Sequence, residues 1–307
     1  MTPQQFQYMS EIVRQSFRVG RAAVSLGTSQ PNVSKQIRSL EKELGFQIFE
    51  RTGKRLTGMT GQGREVWRYA ERILRDVTNI RRISEDYASD TRGVLTVATT
   101  PTLASYVLPS PVEQFVDAYP EVSLQIVVGE TDQNNAAVVA GQTDIAVVPR
   151  MQSLPSDVVA LTWLTWERVL IALPDCGLLS ERVLTLAKIA KYPVIAFETP
   201  AVSLKRVFNA QGLSAEYPIT TSNPDVMKAY AALGLGVGII ASATYDATRD
   251  APLVARSVSH LIPAVEITVT LRKEAYLRRF AYRFMNMLAP ELTRGAIDDK
   301  VYQARSK

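Results

Sequence analysis

Apolar residues in the first part of the chain recur at helical spacing. Ala22, Ala23 and Leu26 share one face of a short amphipathic stretch. Val33, Ile37, Leu40 and Leu44 follow at intervals of four, three and four, which is one buried stripe of a second helix. Gly27 between them suits a helix end, since it takes positive φ without a Cβ clash. Thr28 or Ser29 can cap the second helix by accepting from its orphan N–H groups. Pro31 sits in the first turn, where its missing N–H costs little, and Gly45 closes the helix. A basic, hairpin-like segment, RTGKRLTGM, follows at 51–59. Helix, tight turn, helix and basic hairpin is the order of a winged helix-turn-helix, in which one helix enters the DNA major groove and the wing lies along the backbone. The candidate DNA-binding residues are Thr28, Ser29, Gln30, Pro31, Asn32, Ser34, Lys35 and Arg38 on the second helix, and Arg51, Lys54 and Arg55 on the wing. Amide, hydroxyl and cationic groups are what base edges and phosphates accept.

From Thr60, a plausible cap, a long helix is predicted. Val66, Ala70, Ile73, Val77, Ile80 and Tyr87 fall near a heptad seam, with charges between them. One narrow apolar stripe cannot bury itself, so it either pairs with a second copy of the chain or packs on the chain's own C-terminal part.

The periodicity changes at Gly93. VLTVATT, VSLQIVVG, DIAVV (144–148), ERVLIALP (167–174), VIAF (194–197), GVGIIA and VEITVTLR (265–272) read as strands. Helices are expected up to Tyr119, at 132–140, near 203–211, at 224–233 and at 275–289. Strands alternating with helices argue for a parallel α/β sheet. A break near 160–166 and the late strand at 265–272 point to two lobes joined by two crossovers. The expected domains are 1–59, a linker helix over 60–89, and 90–307, with lobe 1 at about 90–163 and 266–292 and lobe 2 at about 164–265.

Charge supports the division. The 307-residue chain carries a net charge of +5, and residues 1–92 alone hold 16 Lys and Arg against 10 Asp and Glu. The whole positive excess therefore lies in the proposed DNA-binding part. One cysteine, Cys176, excludes an internal disulfide framework and a Cys-rich metal site. The N-terminus lacks the apolar core of a signal peptide, and no run of about 18 apolar residues suits a membrane span. A cytoplasmic protein without membrane contact is expected.

Little supports catalysis. His260 is the only histidine, so neither a multi-His metal site nor a pair of catalytic histidines can form. Cys176 has no basic cluster beside it. The run Gly234-Leu235-Gly236-Val237-Gly238 follows a helix and precedes a strand, the reverse of the order a nucleotide fingerprint needs. No catalytic residue, metal or cofactor is expected. Trp163 reads as a core residue. The strongest small-molecule feature is Thr99-Thr100-Pro101-Thr102, after the first strand of the second part. Open α/β sheets bind ligands beyond the carboxyl ends of strands, and hydroxyls with free N–H groups suit an anion. The same residues would also serve simply as a helix cap.

The N-terminal segment resembles that of LysR-type transcriptional regulators. The matching residues are Ala22-Ala23, Thr28-Ser29-Gln30-Pro31, Ser34-Lys35-Gln36-Ile37, Leu40-Glu41, Glu43-Leu44-Gly45, Ile48-Phe49, Arg51 and Leu56-Thr57. Over nearly the whole chain the likeness narrows to the CysB-like, sulfur-assimilation branch, through GVLTVATTPTLASYVLP, Trp166, DVMKAYAALGLGVGIIAS and APELTR. The resemblance implies a linker-helix coiled coil and a two-lobed effector domain of the type-2 periplasmic-binding-protein fold. It implies promoter DNA, RNA polymerase, a second copy of the chain (dimer or tetramer) and a small polar or anionic effector as partners. Its effector site maps onto Thr100, Thr102 and Trp166, with Thr199, Ser203 and Glu130 as further candidates.

The chain departs from that branch at several positions. Pro101, Leu103, Ala104 and Ser105 stand in a motif that is usually His-Thr-Gln-Ala-Arg, of which Thr102 and Ala104 keep the second and fourth places. Pro149 and Glu130 replace hydroxyl residues, and the loop at 199–203 is shortened. These changes remove donors and add a carboxylate. Inorganic sulfate is therefore expected to bind weakly or not at all, and a larger metabolite with an acidic part and an amino or apolar part to bind better. A ligand-independent repressor with a decayed pocket, or an enzyme fused to a DNA-binding domain, are the rival readings.

Overall fold

The computed structural model describes residues 1–53, 55–89, 91–199 and 203–302. They form two compact units, Met1–Ala88 and Ser89–Lys307.

The first unit is built from α1 (Pro3–Arg14), α2 (Val19–Ser25), α3 (Gln30–Leu44), the antiparallel hairpin β1 (Phe49–Thr52) and β2 (Arg55–Met59), and the long α4 (Gly61–Ala88). Helix α1 was not anticipated from sequence. Thr2 caps it, accepting from Gln5 N while Gln5 Oε1 accepts from Thr2 N, a reciprocal capping box. Its Phe6, Met9 and Ile12 enter one core with Ala22, Ala23, Val33, Ile37, Leu40, Ile48 and Phe49. Ser29 caps α3, and Gly45 ends it in the left-handed conformation.

Helix α4 serves two faces at different heights. Ala70 is buried in the unit's own core, and Val66, Trp67 and Leu74 pack against it. Val66 and Ala70 are thus not part of an open seam, as the heptad reading expected, and Val77 is half-buried. Further along, Ile73, Ile80 and Tyr87 are exposed at seven-residue intervals, with Tyr69 and Ile83 beside them. Exposed Asp76 interrupts the stripe.

The second unit runs β3 (Gly93–Thr99), α5 (Pro101–Tyr106), α6 (Pro109–Ala118), β4 (Val122–Val128), α7 (Thr131–Val139), β5 (Ile145–Pro149), β6 (Val158–Trp166) and β7 (Arg168–Ala172). It continues with α8 (Gly177–Ser180), α9 (Leu186–Ile189), β8 (Val194–Phe197), α10 (Leu204–Asn209), β9 (Ile219–Thr221) and α11 (Pro224–Ala232). It ends with β10 (Val237–Ala241), β11 (Val254–Ser257), β12 (Val265–Arg272), α12 (Arg279–Leu288) and α13 (Arg294–Tyr302). Two five-stranded sheets result, ordered β4-β3-β5-β12-β6 and β11-β7-β10-β8-β9.

Neither sheet is wholly parallel. β12 runs antiparallel to β5 and β6, and β7 runs antiparallel to β10 and β11. The reversed strand in each sheet is the one the chain enters on crossing from the other lobe. The expected break near 160–166 is instead the edge strand β6, whose irregular burial and shifted pairing with β12 leave no two-residue period to read. One residue, Glu167, separates the two sheets. The expected helix at 275–289 begins only at Arg279, and α13 adds Ile297 and Val301 to the lobe-1 core. Trp163 packs on that core and donates Nε1–H to Leu288 O (2.6 Å).

Two neighbouring glycines give a paired test. A Cβ on Gly63 would lie 2.1 Å from Ile48 O, whereas one on Gly61 would meet nothing within 4 Å. Gly63→Ala should lower unfolding stability by about 1–3 kcal/mol, as forced overpacking does. Gly61→Ala should be neutral or stabilising by about 0.4–1 kcal/mol. Urea unfolding of both variants checks this, and equal effects would contradict the close approach.

Candidate functional site

In the first unit, Ser29, Gln30, Pro31, Lys35 and Arg38 are exposed on α3, and Ser34 is half-exposed with no side-chain hydrogen bond among the described residues. Asn32 is turned inward. Its Nδ2 donates to Thr28 Oγ1 (3.0 Å) and Tyr8 OH (3.4 Å), so the Thr28 and Asn32 side chains hold the helix start rather than facing outward freely. Arg51 also differs from expectation. It is paired with Glu41 Oε2 at 2.7 Å, and Glu41 Oε1 accepts from Ile48 N and Phe49 N. Arg51 thereby ties the wing to α3. Arg55 is exposed on β2, while Lys54 lies outside the described residues.

In the second unit, a cavity of about 150 Å³ lies between the lobes. The ends of β3, β5, β6 and β8 contribute Thr100, Pro149, Trp166 and Thr199, and Thr102, Leu103, Glu130 and Val265 complete much of its wall. Of the candidate residues, Thr100, Thr102, Glu130, Trp166 and Thr199 are thus brought together. Ser203 is not among the walls, because its Oγ caps α10 by accepting from Arg206 N (3.1 Å). Thr100 and Thr102 spend their hydroxyls on no hydrogen bond among the described residues. Thr244, also in the wall, donates to Ala241 O (2.7 Å). Glu130 is exposed at the start of α7, and its backbone N–H donates to Gln133 Oε1 (3.3 Å).

Arg168 is the charged wall residue that sequence reasoning missed. It opens β7, pairs in register with Ala241 of β10, and is nine-tenths buried. A charged residue at a strand start reads as exposed. The available signal was its i, i+2 relation to Trp166, which puts both on one side of an extended chain.

Beside the cavity the lobes are bridged. Tyr106 of α5 donates its OH to Asp225 of α11 and accepts from Lys228 Nζ (2.8 Å). Lys228 is buried and also donates to Thr244 O (2.9 Å) and pairs with Asp250 Oδ1 (3.0 Å). Burial alone would lower the Lys228 pKa, but its hydrogen bonds to Tyr106, Asp250 and Asp225 outweigh it and raise the pKa. Elsewhere, the His260 ring lies 3.1 Å from Leu184 O, and Cys176 is half-buried before α8. Gly234 and Gly236 lie between α11 and β10, where a Cβ on Gly236 would meet Pro193 O at 2.6 Å. No described helix is long and apolar enough to cross a membrane.

Two family profiles match the chain. The bacterial regulatory helix-turn-helix protein profile of the lysR family matches residues 3–64, and the LysR substrate binding domain profile matches 88–293. The chain is 38% identical to the transcriptional regulator SsuR of Burkholderia cenocepacia, over 97% of each protein. It is 37% identical to CysB of Haemophilus influenzae, over 97% of this chain and 93% of that one. The crystal structure of the cofactor-binding domain of the regulator Cbl is similar with a TM-score of 0.64 and 30% identity. That likeness covers 69% of this chain and 95% of that one. Full-length OxyR from Pseudomonas aeruginosa shares the fold over 95% of this chain and 94% of its own, with a TM-score of 0.69 at 20% identity.

The bridge predicts a large stability effect. Lys228→Met leaves Asp250, whose side chain is 10% exposed, without its closest cation. The loss should be about 3–5 kcal/mol, as when one partner of a buried pair is removed. Denaturant unfolding measures it, and a loss below about 1 kcal/mol would show that Asp250 is satisfied without Lys228.

Proposed function

The chain belongs to the LysR family of bacterial transcriptional regulators, and from that membership we propose that it controls genes of sulfur-source use in response to a small polar or anionic effector. It binds promoter DNA through the exposed face of α3, with Gln30 and Lys35 as the principal contacts and Arg38 and Arg55 beside them. The effector occupies the cavity between the lobes, against Thr100, Thr102 and Trp166. Two copies associate along the distal half of α4, through Ile73, Ile80, Ile83 and Tyr87.

The observation that carries this reading is the conjunction, in one chain, of an α3 face whose side chains are exposed and a cavity in whose wall the Thr100 and Thr102 hydroxyls make no hydrogen bond among the described residues. The kinship with SsuR and CysB over nearly the full length supports the sulfur assignment. The departures at Leu103, Pro149 and Glu130 support a ligand larger and less highly charged than inorganic sulfate. The direct experiment is transcription from sulfur-uptake promoters with and without the regulator, on different sulfur sources. Transcription indifferent to both would sink the sulfur reading.

Two variants test the DNA and assembly parts. Lys35→Ala should lower the slope of log affinity against log salt by about one ion, whereas Gln30→Ala should cost roughly 1–3 kcal/mol on the operator and little on random DNA. Fluorescence anisotropy across a salt titration separates the two. Ile80 is 66% exposed, so Ile80→Asp should leave each copy folded. It places a charge in an apolar seam. Sedimentation should therefore show more monomer, and an unchanged dimer would move the interface elsewhere.

A further inference from the structure

Arg278 and Arg256 spend their terminal guanidinium nitrogens on backbone carbonyls, although Arg278 Nε itself has no hydrogen-bond partner among the described residues. Arg278 donates to Ser89 O (2.9 Å) and Arg92 O (2.7 Å) and lies over the Phe280 ring. Arg256 donates to Leu178 O (2.8 Å) and Leu179 O (3.1 Å). Arg168 is nine-tenths buried in the cavity wall, and no carboxylate pairs with it among the described residues. Its Nε is fully buried with no hydrogen-bond partner there. Burial lowers its pKa, yet a guanidinium stays a cation. A buried, unpaired cation is costly, and a structural role would have been served by an apolar residue of the same volume.

We propose that Arg168 is the counter-ion of the effector, and that the cavity takes a small organic monoanion with its carboxylate or sulfonate head on the Arg168 guanidinium. This rests on the effector reading above and names the chemistry of that ligand. The planar fork of a guanidinium matches two oxygens of such a head. Thr100, Thr102 and Ser222 supply hydroxyls in the same cavity. Leu103, Pro149, Trp166, Ile240 and Val265 form an apolar remainder that a bare inorganic ion would leave unfilled. A cavity of about 150 Å³ is of the size that holds benzene, so the ligand has on the order of six to eight non-hydrogen atoms. Glu130 is the other charged residue in the wall, and it disfavours a second negative charge on the ligand.

The backbone around Arg168 keeps the group in place. Val258 N donates to Arg168 O (3.0 Å), and Ser242 N donates to Glu167 O (2.9 Å). A head group bound at Arg168 therefore acts on the strand by which the chain passes from one lobe to the other.

The test uses the full chain, with ethanesulfonate, propionate, inorganic sulfate and the uncharged ethyl methyl sulfone as probes, read by thermal shift and titration calorimetry. Ethanesulfonate or propionate should raise the Tm of the parent, sulfate less, and the sulfone not at all. Arg168→Met should bind the organic anion at least about thirtyfold more weakly. Its Tm without anion should equal or exceed the parent's, because an unpaired buried charge has been replaced by an apolar group. Arg168→Lys should keep part of the affinity. An Arg168→Met chain that fails to fold or melts well below the parent would make Arg168 structural and overturn the inference. So would undiminished anion binding by that variant, or a parent that responds to the sulfone as strongly as to the anions. If Thr102→Ala loses the ligand while Arg168→Met keeps it, the effector reading stands and this inference alone falls. A parent that binds none of the anions also overturns it, and the promoter experiment above then judges the effector reading separately.

Discussion

The passage from Trp166 through Glu167 to Arg168 governs the second unit. Strand β6 ends one sheet and strand β7 begins the other with a single residue between them. An extended chain sends alternate side chains to opposite sides. Trp166 and Arg168 thus both line the cavity, while the Glu167 carboxylate accepts from Ser259 Oγ (2.9 Å), on the segment that leads back to the first lobe. The two crossings of the chain are tied to each other at the point where the cavity wall is made. A loop of ordinary length there would have separated the aromatic wall from the cation.

The bridge of Tyr106, Asp225, Lys228 and Asp250 works on the same cavity from outside. Tyr106 reaches from the end of α5, whose start holds Thr100 and Thr102, to α11, whose start holds Asn223 and Pro224. The cavity is lined from both lobes and bridged beside its rim, so its width depends on a charged cluster that a ligand need not touch. Lys228 is held as a cation by two carboxylates and a phenol oxygen, whereas Arg168, equally buried, has no such company. The contrast between the two buried cations separates the one that bridges the lobes from the one that lines the cavity without a partner.

How much was legible in the sequence follows the range of the interactions involved. Helix α3 could be read to its ends because Ser29, Pro31 and Gly45 act on backbone groups within one turn. The cap of α1 at Thr2 and Gln5 was equally local, and its capping box with Phe6, Met9 and Ile12 behind it could have been found by the same reasoning. The pairing of Arg51 was not legible because its partner, Glu41, lies on another element, and an unpaired and a paired arginine look alike in sequence. Ser203 shows the opposite case, since a local cap on α10 engages a hydroxyl that the resemblance had placed among the cavity candidates. Arg168 carried one sequence signal, its spacing from Trp166, but its burial arises only when β10 and the 258 segment pair with β7. The antiparallel strands β7 and β12 belong to the same class, since the order in which strands insert leaves no mark on their own periodicity.

Helix α4 sets a phase as well as a distance. Its 28 residues span about 42 Å. Ala70 is fixed in the core of the helix-turn-helix, while the apolar stripe from Ile73 to Tyr87 points to whatever partner covers it. The angle between those two directions is written into the few residues that separate them. Each residue inserted there would turn α3 by about 100° around the helix axis, and an insertion of about seven would bring it nearly back into register, displaced along the axis by about 10 Å. Were two copies to pair along that stripe, the spacing and relative orientation of their α3 helices would be counted in residues of a single helix.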